Sequence, residues 1–150
     1  TPGEVTDNSY VYNWLCQGER EHDWDLVEVD YDGHNATDLA IRMGEERNND
    51  RFCVEISQTC AGQNLAVKTF RELLLQGQIV LEYSPLVLWC LANAIEIQNN
   101  YGDIKLSKKH KDDTERIDPV AAMMNALARA LIARNQNDLA TAIGSGTFTL

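Results

Sequence analysis

The chain has 150 residues, of which 44% are hydrophobic, and its 23 acidic and 13 basic side chains give a net charge of −10. A chain of this length and hydrophobic content can bury a core, and it has no uninterrupted apolar run of the ~20 residues that a membrane-spanning helix needs. The negative charge excludes a broad surface that neutralises nucleic-acid phosphates, so any contact with nucleic acid must be local.

Cysteines and histidines give no sign of a transition-metal site. The four cysteines form no Cys-x-x-Cys pair and lie in apolar or amphipathic segments, and the three histidines are scattered. These positions predict reduced thiols, without disulfides or structural zinc. Any metal ion must then be held by carboxylates.

Patterns of apolar residues predict alternating helices and strands. In chain order we expect helix 8–20, strand 24–31, helix 36–46, strand 52–56, a helix through 65–74, strand 79–81, a helix from 85, a hairpin of 94–97 with 104–106, and a helix over 118–134. The alternation indicates an α/β layer fold. Residues 135–150 become polar and then glycine-rich, which predicts a flexible tail.

Several residues are placed to begin the predicted helices. Asp7 and Asp118 are positioned to cap the first and the last helix, and Pro85 suits the first position of another. Asn35 with Asp38 three residues later resembles a capping arrangement for the second helix. These signals place the helix starts more firmly than apolar spacing alone.

Basic residues crowd one stretch that begins in the second strand of the predicted hairpin. Its cations are Lys105, Lys108, Lys109, Lys111 and Arg116. This stretch is the candidate for contact with phosphates. A solvated hairpin end is the alternative, because acidic residues follow directly.

Three segments are similar to motifs of one protein family. TPGEVTD at positions 1–7 resembles a Thr-Pro-Gly-Asn-Val-x-Asp stretch, YDGHNA at 31–36 resembles a Tyr-Asp-x-x-Asn-Ala motif at the end of a core strand, and ERIDPVAA at 115–122 resembles an Arg-Ile-Asp-Gly/Pro motif that opens the last helix. In this order they resemble the C-terminal nuclease domain of the large terminase subunit of tailed bacteriophages, over roughly residues 1–134.

The resemblance implies an α/β, ribonuclease-H-like fold with a mixed sheet flanked by helices. The first catalytic aspartate of the family precedes the Thr-Pro-Gly stretch, so the chain is expected to be N-terminally truncated, with a partial nuclease domain over 1–134 and a tail over 135–150. Cleavage of double-stranded viral DNA with two Mg²⁺ or Mn²⁺ ions is the implied activity. The implied partners are DNA, the ATPase domain of the parent chain, the small terminase subunit and the portal, in the host cytoplasm and without a membrane.

The resemblance also implies catalytic and metal-binding residues. Two residues match the metal-binding acids of the family. Asp32 lies at the carboxyl end of the predicted strand 24–31, and Asp118 lies at the start of the last predicted helix. Asp32 is expected to bridge the ions and Asp118 to hold one of them. From the residues alone, a helix cap explains Asp118 better than a metal ligand does, and turn chemistry is the better explanation of Asp32 before Gly33.

Other residues are candidates for auxiliary roles. Asp30 lies two residues before Asp32 on the same side of the predicted strand, where it would be a substitute ligand or a solvated acid. His34 could carry a proton or contact a phosphate. The expected DNA-binding residues are Lys108, Lys109, Lys111 and Arg116.

Two other functions fit parts of the sequence. A different ribonuclease-H-like nuclease, such as a junction resolvase, would use similar acids, but the opening segment and the Arg-Ile-Asp segment argue against it. A catalytically silent docking module that binds portal or capsid proteins would fit the net charge and the absent first aspartate.

Overall fold

The chain consists of two compact units, Thr1–Ile56 and Ser57–Leu150, and each has its own cluster of buried hydrophobic residues. The computed structural model describes residues 7–23, 25–34, 36–109 and 115–144, with side chains through residue 133. Within these residues no helix is both long enough and apolar enough to cross a membrane.

In the first unit, helices alternate with short strands. Their order is α1 (Asn8–His22), β1 (Val29–Tyr31), α2 (Thr37–Glu46) and β2 (Cys53–Glu55). The two strands pair in parallel, with Val29 opposite Cys53 and Tyr31 opposite Glu55. Because parallel strands need a crossover connection, α2 is the element that returns the chain to the start of the sheet. The buried residues Leu39, Met43 and Phe52 form the core of this unit.

The helix starts of the first unit show how local signals act. The Asp7 side chain accepts a hydrogen bond from the Ser9 amide at 2.9 Å, so the predicted cap of α1 is confirmed. In contrast, α2 begins after Ala36, and no side chain caps it. Asn35, the predicted cap, lies outside the described residues.

Polar contacts join α1 to α2. The Tyr12 hydroxyl donates to Glu46, and the Arg42 guanidinium lies over the Tyr12 ring, 3.8 Å from its centroid. Arg42 Nε also donates to Glu46 at 3.1 Å. The hydrogen bonds from Tyr12 and Arg42 lower the pKa of Glu46, while those with Cys16 and Glu46 raise the pKa of Tyr12.

The second unit combines three helices with a β-hairpin. Its elements are α3 (Cys60–Leu75), α4 (Pro85–Asn93), β3 (Ala94–Gln98), β4 (Ile104–Lys108) and α5 (Asp118–Gly144). Val67 and Phe70 of α3, Ile104 of β4 and Met124 of α5 form its buried core. As predicted, α4 begins at Pro85, and the Ser84 hydroxyl accepts the Val87 amide at 3.4 Å.

The hairpin has the predicted glycine-bearing turn. Asn99 Oδ1 accepts the amides of Tyr101 and Asp103, each at 2.9 Å. Gly102 has φ +87°, a left-handed conformation that a side chain disfavours. The side-chain bonds of Asn99 thus hold the loop between β3 and β4.

Some predicted strands are shorter than expected or absent. The predicted strand over 24–31 contains only the three residues of β1, because β2 offers three partners; Trp24 lies outside the described residues. Residues 79–81 form no strand. Val80 there is 93% exposed, and among the described residues no strand forms backbone hydrogen bonds with this segment.

The sheets also differ from the expected single mixed sheet. The described residues contain one two-stranded parallel sheet, β1–β2, and one two-stranded antiparallel sheet, β3–β4. The α/β class is confirmed, while the ribonuclease-H-like arrangement stays a prediction. Helix α5 continues to Gly144, beyond the expected end near Arg134. The division into a domain over 1–134 and a tail over 135–150 stays a prediction as well.

Candidate functional site

In the first unit, Asp32 stands at the carboxyl end of the parallel sheet. It directly follows Tyr31, the last residue of β1, and its side chain is exposed. Asp32 Oδ1 accepts the His34 amide at 3.2 Å, so the turn after the strand holds one carboxylate oxygen. Asp32 thus takes part in the turn and still exposes its carboxylate, so its role in the turn does not exclude metal binding.

A second carboxylate, which the sequence analysis missed, lies at the same edge. Glu55 ends β2 and is paired with Tyr31, the residue before Asp32. Its carboxyl carbon lies 2.7 Å from the position that a Cβ on Gly33 would take. Gly33 therefore leaves the space that the Glu55 carboxylate fills. The available signal was an acidic residue next to the end of the predicted strand 52–56, but only the parallel pairing brings Glu55 beside Gly33.

The two auxiliary candidates of this unit occupy different settings. Asp30 is half-buried in the middle of β1, opposite Val54, whereas Asp32 lies beyond the end of the strand. His34 is exposed in the turn, and its backbone amide is the group that binds Asp32. The roles of both side chains stay predictions.

In the second unit, Asp118 begins α5 between buried neighbours. Ile117 is 9% exposed and Val120 is fully buried, whereas the side chain of Asp118 itself is exposed. The carbonyl of Arg116 accepts Asn93 Nδ2 at 3.4 Å, which ties the approach to α5 to the end of α4. An acid in the first turn is also favoured by the helix dipole. The position thus suits both a helix-stabilising acid and an exposed ligand.

Two of the expected DNA-binding residues, Lys108 and Lys109, lie at the end of the hairpin remote from its turn. Lys108 is paired with Ala94 and is half-buried, and the amide of the exposed Lys109 donates to Asn93 at 2.9 Å. Arg116 is exposed. Lys111 lies outside the described residues. Asn93 therefore bonds both to Lys109 and to the carbonyl of Arg116, which brings these two candidates to the same end of α4.

Carboxylate oxygens suit a hard divalent cation, and the described residues offer them as exposed groups. No group of three or more histidine, cysteine, aspartate or glutamate side chains suitable for a metal ion occurs among the residues that the structure describes. Asp32 and Glu55 fit such an ion in donor type and in placement at one sheet edge. They supply two ligands in the first unit. Asp118 is a separate candidate ligand in the second unit.

Comparisons with known proteins agree with the motifs. A sequence model of the family described as "Terminase large subunit, endonuclease domain" matches residues 18–134. The chain is similar to the crystal structure of the HK97 bacteriophage large terminase, with a TM-score of 0.71 and 26% sequence identity over 86% of this chain. The match covers 26% of that chain, so this chain spans about a quarter of its length. A comparison with curated proteins gives no match.

Proposed function

Because the chain belongs to the family of terminase large subunit endonuclease domains, we propose that it cuts double-stranded DNA during packaging of a bacteriophage genome. The proposed reaction is metal-dependent hydrolysis of a phosphodiester, with Mg²⁺ or Mn²⁺ as the ion. The proposed fold is that of a ribonuclease-H-like domain. The proposed partners are an ATPase domain of the parent chain, the small terminase subunit and the portal, in the host cytoplasm.

The arrangement of Asp32, Gly33 and Glu55 is the observation that carries this proposal. Ligands of open α/β sheets gather outside the carboxyl ends of the strands, and both acids lie at that end of neighbouring parallel strands. A side chain at Gly33 would collide with the Glu55 carboxylate. The chain therefore leaves space for a second carboxylate beside the residue that the family motif assigns to metal binding.

Each residue has a proposed task. Asp32 and Glu55 would hold a divalent cation in the first unit, and Asp118 is proposed as a ligand in the second unit, at the start of α5. Two divalent ions would supply an activated water and charge neutralisation at the leaving oxygen. Lys108, Lys109 and Arg116 would contact phosphates of the DNA and hold the backbone in place, since lysine and arginine neutralise phosphate charge. His34 is proposed as an auxiliary contact to a phosphate.

The metal-binding part can be tested on the chain itself. MnCl₂ would be titrated into the wild type, Asp32→Asn and Asp118→Asn by calorimetry, with Asp38→Asn as the control, because Asp38 is exposed in the first turn of α2. We expect weaker binding in the first two variants and unchanged binding in the control. Circular dichroism should show near-wild-type folding throughout, because asparagine at 32 keeps the oxygen that accepts the His34 amide.

A cleavage assay tests the proposed nuclease activity. In the intact large subunit, Asp32→Asn should abolish metal-dependent nicking of supercoiled plasmid at low salt while Asp38→Asn leaves it unchanged. Wild-type cleavage by Asp32→Asn would exclude Asp32 from the site. A chain that binds no Mn²⁺ in any form would contradict the metal-binding proposal.

One observation favours a second function, docking to a protein of the packaging motor. Apolar side chains before and within α4 are exposed, with Leu75 at 81%, Val80 at 93% and Tyr83 at 80%. Apolar surface of this kind is common at protein interfaces. Pull-down of purified portal or capsid protein by the wild type but not by Val80→Ser/Tyr83→Ser would support docking.

A further inference from the structure

Two amide side chains within the described part of the second unit are almost completely buried. Gln63 on α3 is 5% exposed and Asn125 on α5 is 7% exposed. Gln63 Nε2 donates to Asn125 Oδ1 at 3.0 Å. Gln58 Nε2 donates to the same oxygen at 3.2 Å, and Gln63 Nε2 also lies 3.3 Å from the carbonyl oxygen of Ser57. One oxygen of α5 therefore receives two donors from α3 and the segment before it.

The amide network lies beside the first turn of α5. Ile117, which directly precedes Asp118, and Ala121, three residues after it, line a small pocket of about 70 Å³ together with Gln58, Gln63 and Lys105. Lys105 Nζ donates to the carbonyl of Gln58 at 2.9 Å. Strand β4, the start of α3 and the start of α5 thus meet around the same set of polar bonds.

Apolar packing alone would fix the position of α5 less well. Met124 contacts the core that contains Val67 and Phe70, but hydrophobic contact has no preferred direction, so a helix can slide or rotate with little loss of buried area. A hydrogen bond requires a defined distance and angle. An amide that is buried without a partner has lost its hydration with nothing in return, so the network resists such a shift.

Asn125 and Asp118 are linked through the geometry of the helix. They are seven residues apart, which is two helical turns, so their side chains leave the same face about 10 Å apart along the axis. Hydrogen bonds that fix Asn125 therefore also fix the position of the Asp118 carboxylate along the helix axis and its rotation about that axis. A ligand of a hard cation must be held to within a few tenths of an ångström.

We propose that Gln63 and Asn125 are positioning residues, which hold the first turn of α5 so that the Asp118 carboxylate can bind a divalent cation. The inference rests on the proposed metal-binding role of Asp118. The two amides themselves touch neither metal nor DNA in this proposal. They act through the placement of the helix.

The test removes both amides together. In Gln63→Leu/Asn125→Leu the two buried amides are removed together. The groups that lose a contact, Gln58 Nε2 and the Ser57 carbonyl, belong to a half-buried and an exposed residue, so the free energy of unfolding should change little. Hydrogen exchange at the Ala121 amide, which bonds to the Ile117 carbonyl at 2.9 Å, should become faster. Calorimetric affinity for MnCl₂ should fall roughly 10- to 100-fold, the range for groups that orient metal ligands.

A matched control exists on the same helix. Asn64 Oδ1 accepts the Ile104 amide at 3.1 Å, so Asn64→Leu removes an amide link from α3 to β4 that does not involve α5. We expect it to leave exchange at Ala121 and affinity for Mn²⁺ unchanged. The exchanged pair Gln63→Asn/Asn125→Gln keeps an amide-to-amide bond of the same total length and should restore both readouts.

The outcomes separate this inference from the proposed function. Unchanged exchange at Ala121 and unchanged affinity for Mn²⁺ in the double leucine variant would overturn the positioning role. Faster exchange at Ala121 together with weaker binding of Mn²⁺ in Asn64→Leu would also overturn the positioning role, because the effect would then be general to the second unit. Affinity for Mn²⁺ that Asp118→Asn does not alter would instead overturn the ligand role of Asp118.

Discussion

The carboxylate of Glu55 lies directly against Gly33, the residue that follows Asp32. Its carboxyl carbon is 2.7 Å and its second oxygen 3.3 Å from the place where a Cβ on Gly33 would be. The parallel pairing of Tyr31 with Glu55 brings the two strand ends together. The absence of a side chain at position 33 thus determines where an acidic group from the neighbouring strand can stand.

Gly33→Ala is therefore expected to displace Glu55 without unfolding the chain. The group in the way is the end of a flexible side chain, which can rotate aside, so the free energy of unfolding should change by less than about 1 kcal/mol. Affinity for Mn²⁺ should fall, because one proposed ligand is moved. Urea denaturation and calorimetry would measure the two effects.

Gly44→Ala is the matched control for that substitution. A Cβ at position 44, in α2, would have its nearest contact at 3.4 Å, from the carbonyl of Asn49. Alanine also favours a helix over glycine. This variant should bind Mn²⁺ like the wild type. A loss of affinity equal to that of Gly33→Ala would show that the effect does not come from Glu55.

Lys109→Gln should weaken binding to DNA through loss of a phosphate contact. The side chain is exposed, and each phosphate neutralised adds about 0.9 to the slope of log affinity against log salt. Fluorescence anisotropy with a labelled duplex over a range of salt concentrations should give a slope smaller by about one. Arg51→Gln, which also removes an exposed cation, should leave the slope unchanged. Equal slopes for Lys109→Gln and the wild type would remove Lys109 from the DNA-contacting residues.

Acid should weaken the contact between α1 and α2. Hydrogen bonds from Tyr12 and Arg42 lower the pKa of Glu46, so the folded state binds a proton there less readily than the unfolded state. The resulting stability is present above the unfolded pKa of about 4.3 and is lost as the pH falls through the lower pKa of the folded state. The wild type should therefore lose more stability below pH 4 than Glu46→Gln does, as measured by thermal denaturation.

For Tyr12, the dependence of stability on pH has the opposite sign and appears at alkaline pH. Its pKa is raised by hydrogen bonds with Cys16 and Glu46, so its contribution is present below the unfolded pKa of about 10 and is lost at higher pH. Tyr12→Phe should remove that dependence. If stability changed with pH in the same way in the wild type, Glu46→Gln and Tyr12→Phe, a structural role for the Tyr12–Glu46 hydrogen bond would be contradicted.

Met124→Ala should destabilise the second unit. The side chain is 2% exposed and belongs to the core with Val67 and Phe70. Truncation of a buried methionine costs about 2–5 kcal/mol, whereas Ile132→Ala, at a position 43% exposed on the same helix, should cost less than about 1 kcal/mol. Urea denaturation of both variants provides the comparison. Equal losses would mean that α5 is not held by the face that carries Met124.

Local chemistry explains which features the sequence determined by itself. Asp7 caps α1, Pro85 begins α4, and Asn99 with Gly102 forms the hairpin turn, as their residue types predict. Each depends on interactions within a few residues, so the signal and its structural effect lie in the same short segment. The position of Asp118 at the start of a helix follows for the same reason.

Contacts between residues that are distant in the chain decided the remaining features. The length of β1 is limited by β2, and residues 79–81 form no strand because no strand among the described residues pairs with them. Glu55 contacts the space beside Gly33, and Gln63 contacts Asn125. Gln63 and Asn125 are 62 residues apart, and neither shows a pattern that predicts burial. A strand requires a neighbour to satisfy its backbone, and a buried amide requires a partner brought by another element. Such partners are distant in the chain, so the tertiary structure alone brings them into contact.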